Sequence, residues 1–486
     1  MTLRRLFVAI VVAGFAALLS AQVTAQSPLS LDECIARAIK RNLDLEIQRF
    51  NPQIAQKGID VARDAYEPEL SLTSSHGVAR TAAVGTTPGT RSESTDTRLG
   101  VTQNFYTGTS VGISTKLDRS ELNPAVGTLN PAYNADITIS ARQQLLRGFG
   151  TEINRAVLDR ARLGFDKANL DYKVGTLEVI QRTENAYYNL VFAREQLEVR
   201  KFSLALAERL HEEAKARRES GVATDLDVFQ AGVGVANARR GVILAQQSVR
   251  DSEESLLALI GQFELDGTPG TVQFAEFGEA LPLLGSSLEL ARQSQPDYQS
   301  ARAAIEQLKL DLKIAKDSVK PSLSVGAAVG LNGYRGSGSS AYSDAFNRGN
   351  NSWQVDLAFS YPWGQVADKA RYHQSLATLS REQTRLRLIE QNIEVQVRAA
   401  VRAVGTNFES VKISAQAREL STKQYELEKA KFDAGLSTSR RVLEAQNDLE
   451  TARVNELQAK VSLRTSLAAL HRIEGSSLQR YGVTLP

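Results

Sequence analysis

The chain has 486 residues, with 58 basic and 55 acidic side chains. This near balance argues against a nucleic-acid-binding protein, because such proteins concentrate positive charge. Aromatic residues make up only 6% of the chain. So few bulky residues are typical of long helices packed along Ala-rich seams.

The N-terminus has the pattern of a secretory signal. A pair of arginines precedes an apolar run over 6–19, and the small residues at 23–25 form the expected cleavage site. The run is too short for a comfortable membrane span. We therefore predict a signal peptide over 1–25. Cys34 is the only cysteine, so it forms no internal disulfide, and it lies too far from the cleavage site to carry a lipid.

A first repeat of four parts is predicted over 26–261. Its opening helix ends ahead of Pro68, because proline disfavours helix at the preceding residue. Alternating apolar residues between Gly/Ser-rich loops then predict strands. A proline-free stretch of about 70 residues predicts a helix about 100 Å long. The elements are a helix over 31–66, strands over 69–146, a long helix over 151–219 and a returning helix over 223–260.

The same order recurs after a linker predicted over 262–285. This second repeat, 286–475, has apolar residues at coiled-coil spacing along its long helix. A C-terminal tail follows over 476–486. The predicted elements are a helix over 286–319, strands over 322–361, a long helix over 365–433 and a returning helix over 437–474.

Identical residues at constant offsets relate the two repeats. The offset is 253 up to the strands and 214 around the helix turns. Such duplication indicates two copies of one structural unit. Matched pairs are Asp44 and Asp297, Arg49 and Arg302, Pro68 and Pro321, Gly221 and Gly435, Thr224 and Thr438, and Gly261 and Gly475.

After the signal, no stretch approaches 18 consecutive apolar residues. A membrane-embedded form would therefore have to use strands, since only helices and closed barrels satisfy backbone groups in lipid.

The order of these segments resembles that of the TolC-like outer-membrane efflux proteins. Each segment alone is weakly specific, whereas their duplicated order is quite specific. The resemblance covers nearly the whole mature chain, and the segments that carry it are 30–33, 42–45, 62–63, 68–72, 144–150, 183–189, 221–224 and 256–261, with their second-repeat equivalents.

The resemblance implies a mainly α-helical chain with a β-barrel part. Three protomers, each giving four strands, would close a 12-stranded transmembrane barrel, and their helices would form a coiled-coil tunnel across the periplasm. One feature departs from this pattern, because the first strand block has room for an extra hairpin over 99–117. That hairpin either adds strands to the barrel or lies outside it.

The helix turns are the candidate binding site. In the resembling family, equivalent turns form the periplasmic tip, which receives a periplasmic adaptor protein linked to an inner-membrane pump. A tight turn alone would also explain the glycine and threonine residues. The matching positions are Gly221, Val222, Ala223, Thr224, Gly435, Leu436, Ser437 and Thr438.

Charged residues just past the turns are candidates for a gate at the tunnel mouth. Asp225 and Asp227 follow the first turn, and Arg441 and Glu444 follow the second. An arginine breaks the acidic ring that the family often places here. It could pair with an aspartate across protomers and latch the tip, or it could be simply solvated.

No catalytic, cofactor or metal site is predicted. The four histidines lack paired metal-ligand spacing, and no phosphate-binding loop is present. We therefore expect a passive exit duct for a tripartite efflux or type I secretion system, as a homotrimer in outer-membrane lipid. The alternatives are a periplasmic coiled-coil adaptor, a scaffold without a pore and, last, an enzyme.

Overall fold

The structure is a computed structural model, and the predicted signal peptide and most of the predicted linker lie outside the residues that it describes. Those residues are 29–83, 85, 89–123, 125, 129–261, 281–347 and 349–484. The chain divides into two compact units. One unit comprises 1–47, 175–295 and 393–486, and the other comprises 48–174 and 296–392.

Helices make up most of the described chain. None of those described is long and apolar enough to cross a membrane. In chain order they are α1 (Leu31–Arg41), α2 (Leu43–Asp64), α3 (Thr151–Asn154), α4 (Ala156–Glu219), α5 (Asp225–Leu259), α6 (Leu284–Ser294), α7 (Pro296–Ser318), α8 (Gly338–Ala345), α9 (Val366–Asp433), α10 (Ser439–Glu474) and α11 (Ser477–Arg480).

Two intervals predicted as single helices each hold two. Asn42 separates α1 from α2, because its backbone is extended and its side-chain oxygen accepts a hydrogen bond from the Leu45 amide at 3.1 Å. Gln295 separates α6 from α7, because it precedes Pro296, which opens the second helix. The intervals concerned are 31–66 and 286–319.

Six strands form one antiparallel sheet in chain order. The resemblance implied four strands for each chain, so this sheet has two more than expected. The predicted hairpin over 99–117 lies within it, across the second and third strands. The strands are β1 (Glu69–Thr81), β2 (Thr90–Asn104), β3 (Thr109–Asn123), β4 (Ala132–Gln144), β5 (Ser322–Arg335) and β6 (Asn351–Ser360).

One face of the sheet is apolar across all six strands. Side chains two residues apart share a face, so the apolar face extends through Leu357 and Phe359 of β6. Towards the other end of β2 and β3 the same face becomes charged, with Arg119 3.8 Å from Glu93. Many of its side chains are exposed, including Trp353 at 78%. A single row of paired residues crosses the sheet through Leu70, Val101, Ile113, Ile139, Val329 and Trp353.

The opposite face of the sheet is polar and carries cross-strand ion pairs. Lys116 of β3 lies 2.8 Å from Asp96 of β2. Arg142 of β4 reaches over Gly326 of β5 to Asp356 of β6, at 3.0 Å. A side chain at Gly326 would overlap the Asp356 carboxylate. Other small residues on this face are Ser71, Gly100, Gly112, Ser114, Ser140 and Gly330.

The tight turn between β2 and β3 is attached to the end of β4. Gly108 adopts a left-handed conformation, with φ of 82°, and its carbonyl accepts a hydrogen bond from the Gln144 amide at 3.1 Å. A side chain at Gly108 would overlap the Gly148 carbonyl oxygen. Glycine is therefore required at this turn, both for its conformation and for the close approach.

A buried carboxyl lies in the unit that contains the C-terminus. Glu184 of α4 is 4% exposed, and the Tyr481 hydroxyl donates a hydrogen bond to it. Its second oxygen has no partner among the described residues. Burial raises the pKa of Glu184 from 4.5 to about 7, since a low-dielectric site disfavours the charged form.

Glu184→Gln should remove part of the pH dependence of stability. The carboxyl binds its proton more tightly in the folded chain, so its contribution is full below pH 4.5 and is lost as the pH rises towards about 7. We expect the thermal unfolding midpoint, followed by circular dichroism, to fall over this window. The unfolding midpoint of Glu184→Gln should fall less. Over this window the variant should lose less free energy of unfolding than the unsubstituted chain, by on the order of 1–3 kcal/mol.

The matched control is Glu178→Gln on the same helix, where the carboxylate is 37% exposed and lies 3.0 Å from Arg472. The unfolding midpoint of this control should fall between pH 4.5 and 7, as in the unsubstituted chain. Identical pH profiles for Glu184→Gln and the unsubstituted chain would contradict the assignment.

Candidate functional site: the two helix turns

Both predicted turns end a long helix in the same way. Gly221 and Gly435 adopt left-handed conformations, with φ of 74° and 78°. The next amide in each case, Val222 or Leu436, donates to a carbonyl in the last helical turn, at 2.9 and 2.8 Å. This bonding satisfies carbonyl groups that the helix end would otherwise leave unpaired. Ala223 donates to the same carbonyl as Val222, at 3.2 Å.

The two returning helices begin differently. Thr224 and Asp227 form a reciprocal capping box at the start of α5. Thr438 occupies the equivalent position of α10 without a side-chain capping bond. In that turn Ser437 donates instead to the Glu428 carboxylate, back in α9. The duplicated threonines therefore do not make duplicated contacts.

The two turns lie side by side. The Arg217 guanidinium, in the last turn of α4, lies 3.8 Å from the centre of the Phe432 ring in α9. The same side chain donates to the Phe432 carbonyl oxygen at 3.0 Å. Phe432 is only 3% exposed. A buried ring and a charged donor thus connect the ends of the two outgoing helices.

Apolar side chains project from this pair of turns. Val222 and Leu436 are each 77% exposed. On α5, Leu226, Phe229 and Val233 are all at least 60% exposed. Their spacing of three and four residues places them on one helix face. This α5 stripe was not predicted from the sequence, although the spacing begins directly after the turn and could have revealed it.

The four candidate gate residues are near the turns, and three of them have partners within their own hairpin. Asp225 lies 2.5 Å from Arg218, and Glu444 lies 3.0 Å from Arg440. Hydrogen bonds from the Thr224 amide and hydroxyl lower the pKa of Asp227. Arg441 is exposed and has no ion pair within the described part of the chain.

The first and second turns lie together in the structure. In the described chain, the candidate gate residues of one turn form no ion pair with those of the other. No group of three or more potential metal-binding side chains occurs among the described residues. The arrangement therefore offers an exposed apolar surface with charged neighbours. Such a surface is suited to contacts with other polypeptides.

The fold is that of outer-membrane channel proteins. The outer-membrane channel OprN superposes with a TM-score of 0.71 at 17% sequence identity, over 92% of this chain and 90% of that one. The outer-membrane channel MtrE of Neisseria gonorrhoeae superposes with a TM-score of 0.69 at 18% identity, over 92% of this chain and 89% of that one.

The chain belongs to the outer membrane efflux protein family, whose sequence profile it matches over residues 110–262 and 287–476. The pyoverdine export outer membrane protein OpmQ of Pseudomonas aeruginosa is 25% identical over 331 residues, which is 65% of this chain and 64% of OpmQ. The matched segment is thus slightly under two thirds of OpmQ's own length.

Proposed function

We propose that this family member is the exit duct of a tripartite efflux or type I secretion system. Three copies assemble in the outer membrane, where the apolar face of each sheet meets lipid and the polar face lines the pore. The helices of the two duplicated halves form a tunnel in the periplasm. The observation that supports this most is the exposed apolar row across all six strands.

The duct is passive and catalyses no reaction. Its two faces offer a polar lining and an apolar exterior, which suffice to conduct a solute but not to drive it. Energy for transport comes from an inner-membrane pump, which reaches the duct through a periplasmic adaptor. This division of labour fits a chain in which charge is spread over helix surfaces as exposed pairs.

An adaptor or a scaffold without a pore is the alternative. Either could use long helical hairpins such as α4–α5 and α9–α10. Neither requires a sheet with Trp353, Val355, Leu357 and Phe359 all more than 60% exposed on one face. A soluble protein would cover or avoid so large an apolar surface.

Detergent extraction of the outer-membrane fraction tests the duct. We expect a particle containing three mature chains, about 150 kDa of protein from chains of 53.0 kDa before signal cleavage. The mass is measured by multi-angle light scattering, and planar-bilayer recording then reports conductance. A soluble periplasmic monomer would refute the proposal and favour the adaptor or the scaffold.

We propose further that the paired turns dock the adaptor. Val222 and Leu436 project from adjacent turns at 77% exposure, and the glycines and caps hold the turn backbones in place. Rigid turns with exposed apolar tips bind a partner at low entropic cost. Gly221, Ala223, Thr224, Gly435, Ser437 and Thr438 provide the surrounding surface.

Photo-cross-linking from Val222 and Leu436 tests this docking site. A benzophenone amino acid at either position should cross-link, in cells, to a periplasmic protein with coiled-coil hairpins, identified by mass spectrometry. Ile413, 65% exposed in the middle of α9, is the control position and should give no such product. Equal labelling from all three positions would remove the docking role.

A gate at the tunnel mouth is the last part of the proposal. Asp225, Asp227, Arg441 and Glu444 all lie in the first two turns of the returning helices. Arg441 is exposed and unpaired within the described chain. A hydrogen bond from Ser437 and, to a smaller extent, the Arg441 charge lower the pKa of Glu428 in α9. In the proposed latch Arg441 also meets an aspartate of a neighbouring protomer.

Arg441→Ala should raise the leak conductance of the purified duct. Losing an exposed ion pair of about 0.5 kcal/mol per protomer changes the closed-to-open ratio about twofold for each pair. The control is Arg440→Ala, since Arg440 pairs with Glu444 of its own helix. If both variants leak like the unsubstituted duct, the latch does not exist.

A further inference from the structure

We infer that each protomer contributes all six strands to the barrel, so that the trimer closes 18 strands and not 12. β1 of one protomer then pairs with β6 of the next. This inference rests on the proposed trimeric duct. It concerns the two strands that exceed the expected four, and the hairpin formed by β1 and β2 is here called the N-terminal hairpin.

The N-terminal hairpin is continuous with the rest of the sheet. β2 pairs with β3 without interruption from Arg91–Asn123 to Asn104–Ser110. The turn at Gly108 is hydrogen-bonded to the end of β4. A hairpin outside the barrel would have to break this ladder and leave its backbone groups unpaired.

The two faces of the sheet also continue onto the N-terminal hairpin. Leu70 and Leu72 of β1 pair with Val101 and Leu99 of β2 on the apolar face. On the polar face, Asp96 of β2 bonds Lys116 of β3. The hairpin thus has the same inside-outside pattern as the other strands, as a barrel wall requires.

The duplication indicates which strands are additional. Pro68 precedes β1 as Pro321 precedes β5, at the offset of 253 that relates the two repeats. β4 leads into the long helix of the first half as β6 does in the second. β1 and β4 therefore correspond to β5 and β6, and β2 and β3, which contain the predicted hairpin over 99–117, are inserted between them.

A second copy of this chain is the occupant that fits the free edges. β1 and β6 are the outermost strands of the sheet, and open strand edges are not tolerated in hydrocarbon. With six antiparallel strands, β1 and β6 run in opposite directions, so joining copies edge to edge keeps every pair antiparallel. Three sheets of six give 18 strands.

Disulfide cross-linking distinguishes the two barrels. The background variant is Cys34→Ala, which removes the single native thiol. Ser75→Cys on β1 is combined in turn with Ser352→Cys, Gln354→Cys or Ala358→Cys on β6, all on the polar face. These three β6 positions scan the unknown register across the seam, because cross-linking needs Cα atoms within about 7 Å.

The matched control places the first cysteine on β3, as Ser114→Cys, with the same three β6 partners. If the N-terminal hairpin lay outside the barrel, β3 would be the seam strand and this set would cross-link between protomers. Within one chain β1 and β6 are five strand spacings apart, about 24 Å in a flat sheet, so products of Ser75 with β6 are intermolecular.

A third set pairs Ser75→Cys with Asn134→Cys, Thr138→Cys or Ser140→Cys on the polar face of β4. If β2 and β3 lay outside the barrel, β1 would adjoin β4 and one of these pairs would form a disulfide within the chain. In the six-stranded sheet, by contrast, β1 and β4 are three strand spacings apart, about 14 Å.

We expect covalent trimers on denaturing gels from at least one pair of Ser75 with β6 and from no Ser114 pair. A disulfide between β1 and β4 within one chain, cross-linking from the Ser114 set, or no product from either β6 set in a particle of trimer mass would overturn the inference of 18 strands and leave the duct intact. Light scattering on the same samples separates that result from loss of the trimer, which would refute the duct and this inference together.

Discussion

The structure depends above all on the hydrogen-bonding needs of the peptide backbone at the two outer strands of the sheet. Each outer strand has one row of amide and carbonyl groups without a partner strand in the described chain. Water can satisfy such a row, but hydrocarbon cannot. The exposed apolar row on one face means that the sheet is not fully covered by water in its working state. The proposed association of copies through these edges would satisfy both rows.

The same backbone requirement shapes the two helix turns. A long helix leaves four carbonyl groups unpaired at its last turn, and the glycines at 221 and 435 allow following amides to return to them. Satisfying these groups locally frees the neighbouring side chains for other contacts. The backbone amides of Val222 and Leu436 hold the turns, and their side chains remain exposed. The stability of the turn thus depends on backbone groups, whereas its exposed apolar surface depends on side chains.

Much of the fold was accessible from the sequence because helical and strand periodicities are strong here. The long helices, the turn glycines and the position of the strands after Pro68 and Pro321 all follow from local rules. The breaks at Asn42 and Gln295 were missed, although Pro296 indicated the second of them. A proline disfavours the helical conformation at the residue before it, which is Gln295 here. The preference of an asparagine for capping a helix is weak beside a strong helical pattern, so the break at Asn42 was harder to predict.

The contacts at the turns were harder to predict. Sequence duplication suggested equivalent roles for Thr224 and Thr438, yet only the first has an acidic residue three positions later to complete a capping box. Arg217 and Phe432 are more than 200 positions apart in the chain and meet only after folding. The resemblance implied four strands, and the sequence left open whether the hairpin over 99–117 adds to them. The alternation that continues through Leu99 and Val101 was already visible in the sequence.

The uneven size of side chains on the two faces of the sheet has a mechanical consequence. Glycine and serine are the commonest residues of the polar face, while leucine, valine and isoleucine, with Phe359 and Trp353, form the apolar part of the other. A layer with bulky groups on one side and hydrogen atoms or hydroxyls on the other resists bending towards the bulky side. It bends more readily towards the face with small side chains. The Asp356 carboxylate lies close over Gly326 on that face, where a larger side chain would not fit. The intrinsic curvature of the sheet thus favours a tube with its water-lined surface innermost, whatever its circumference.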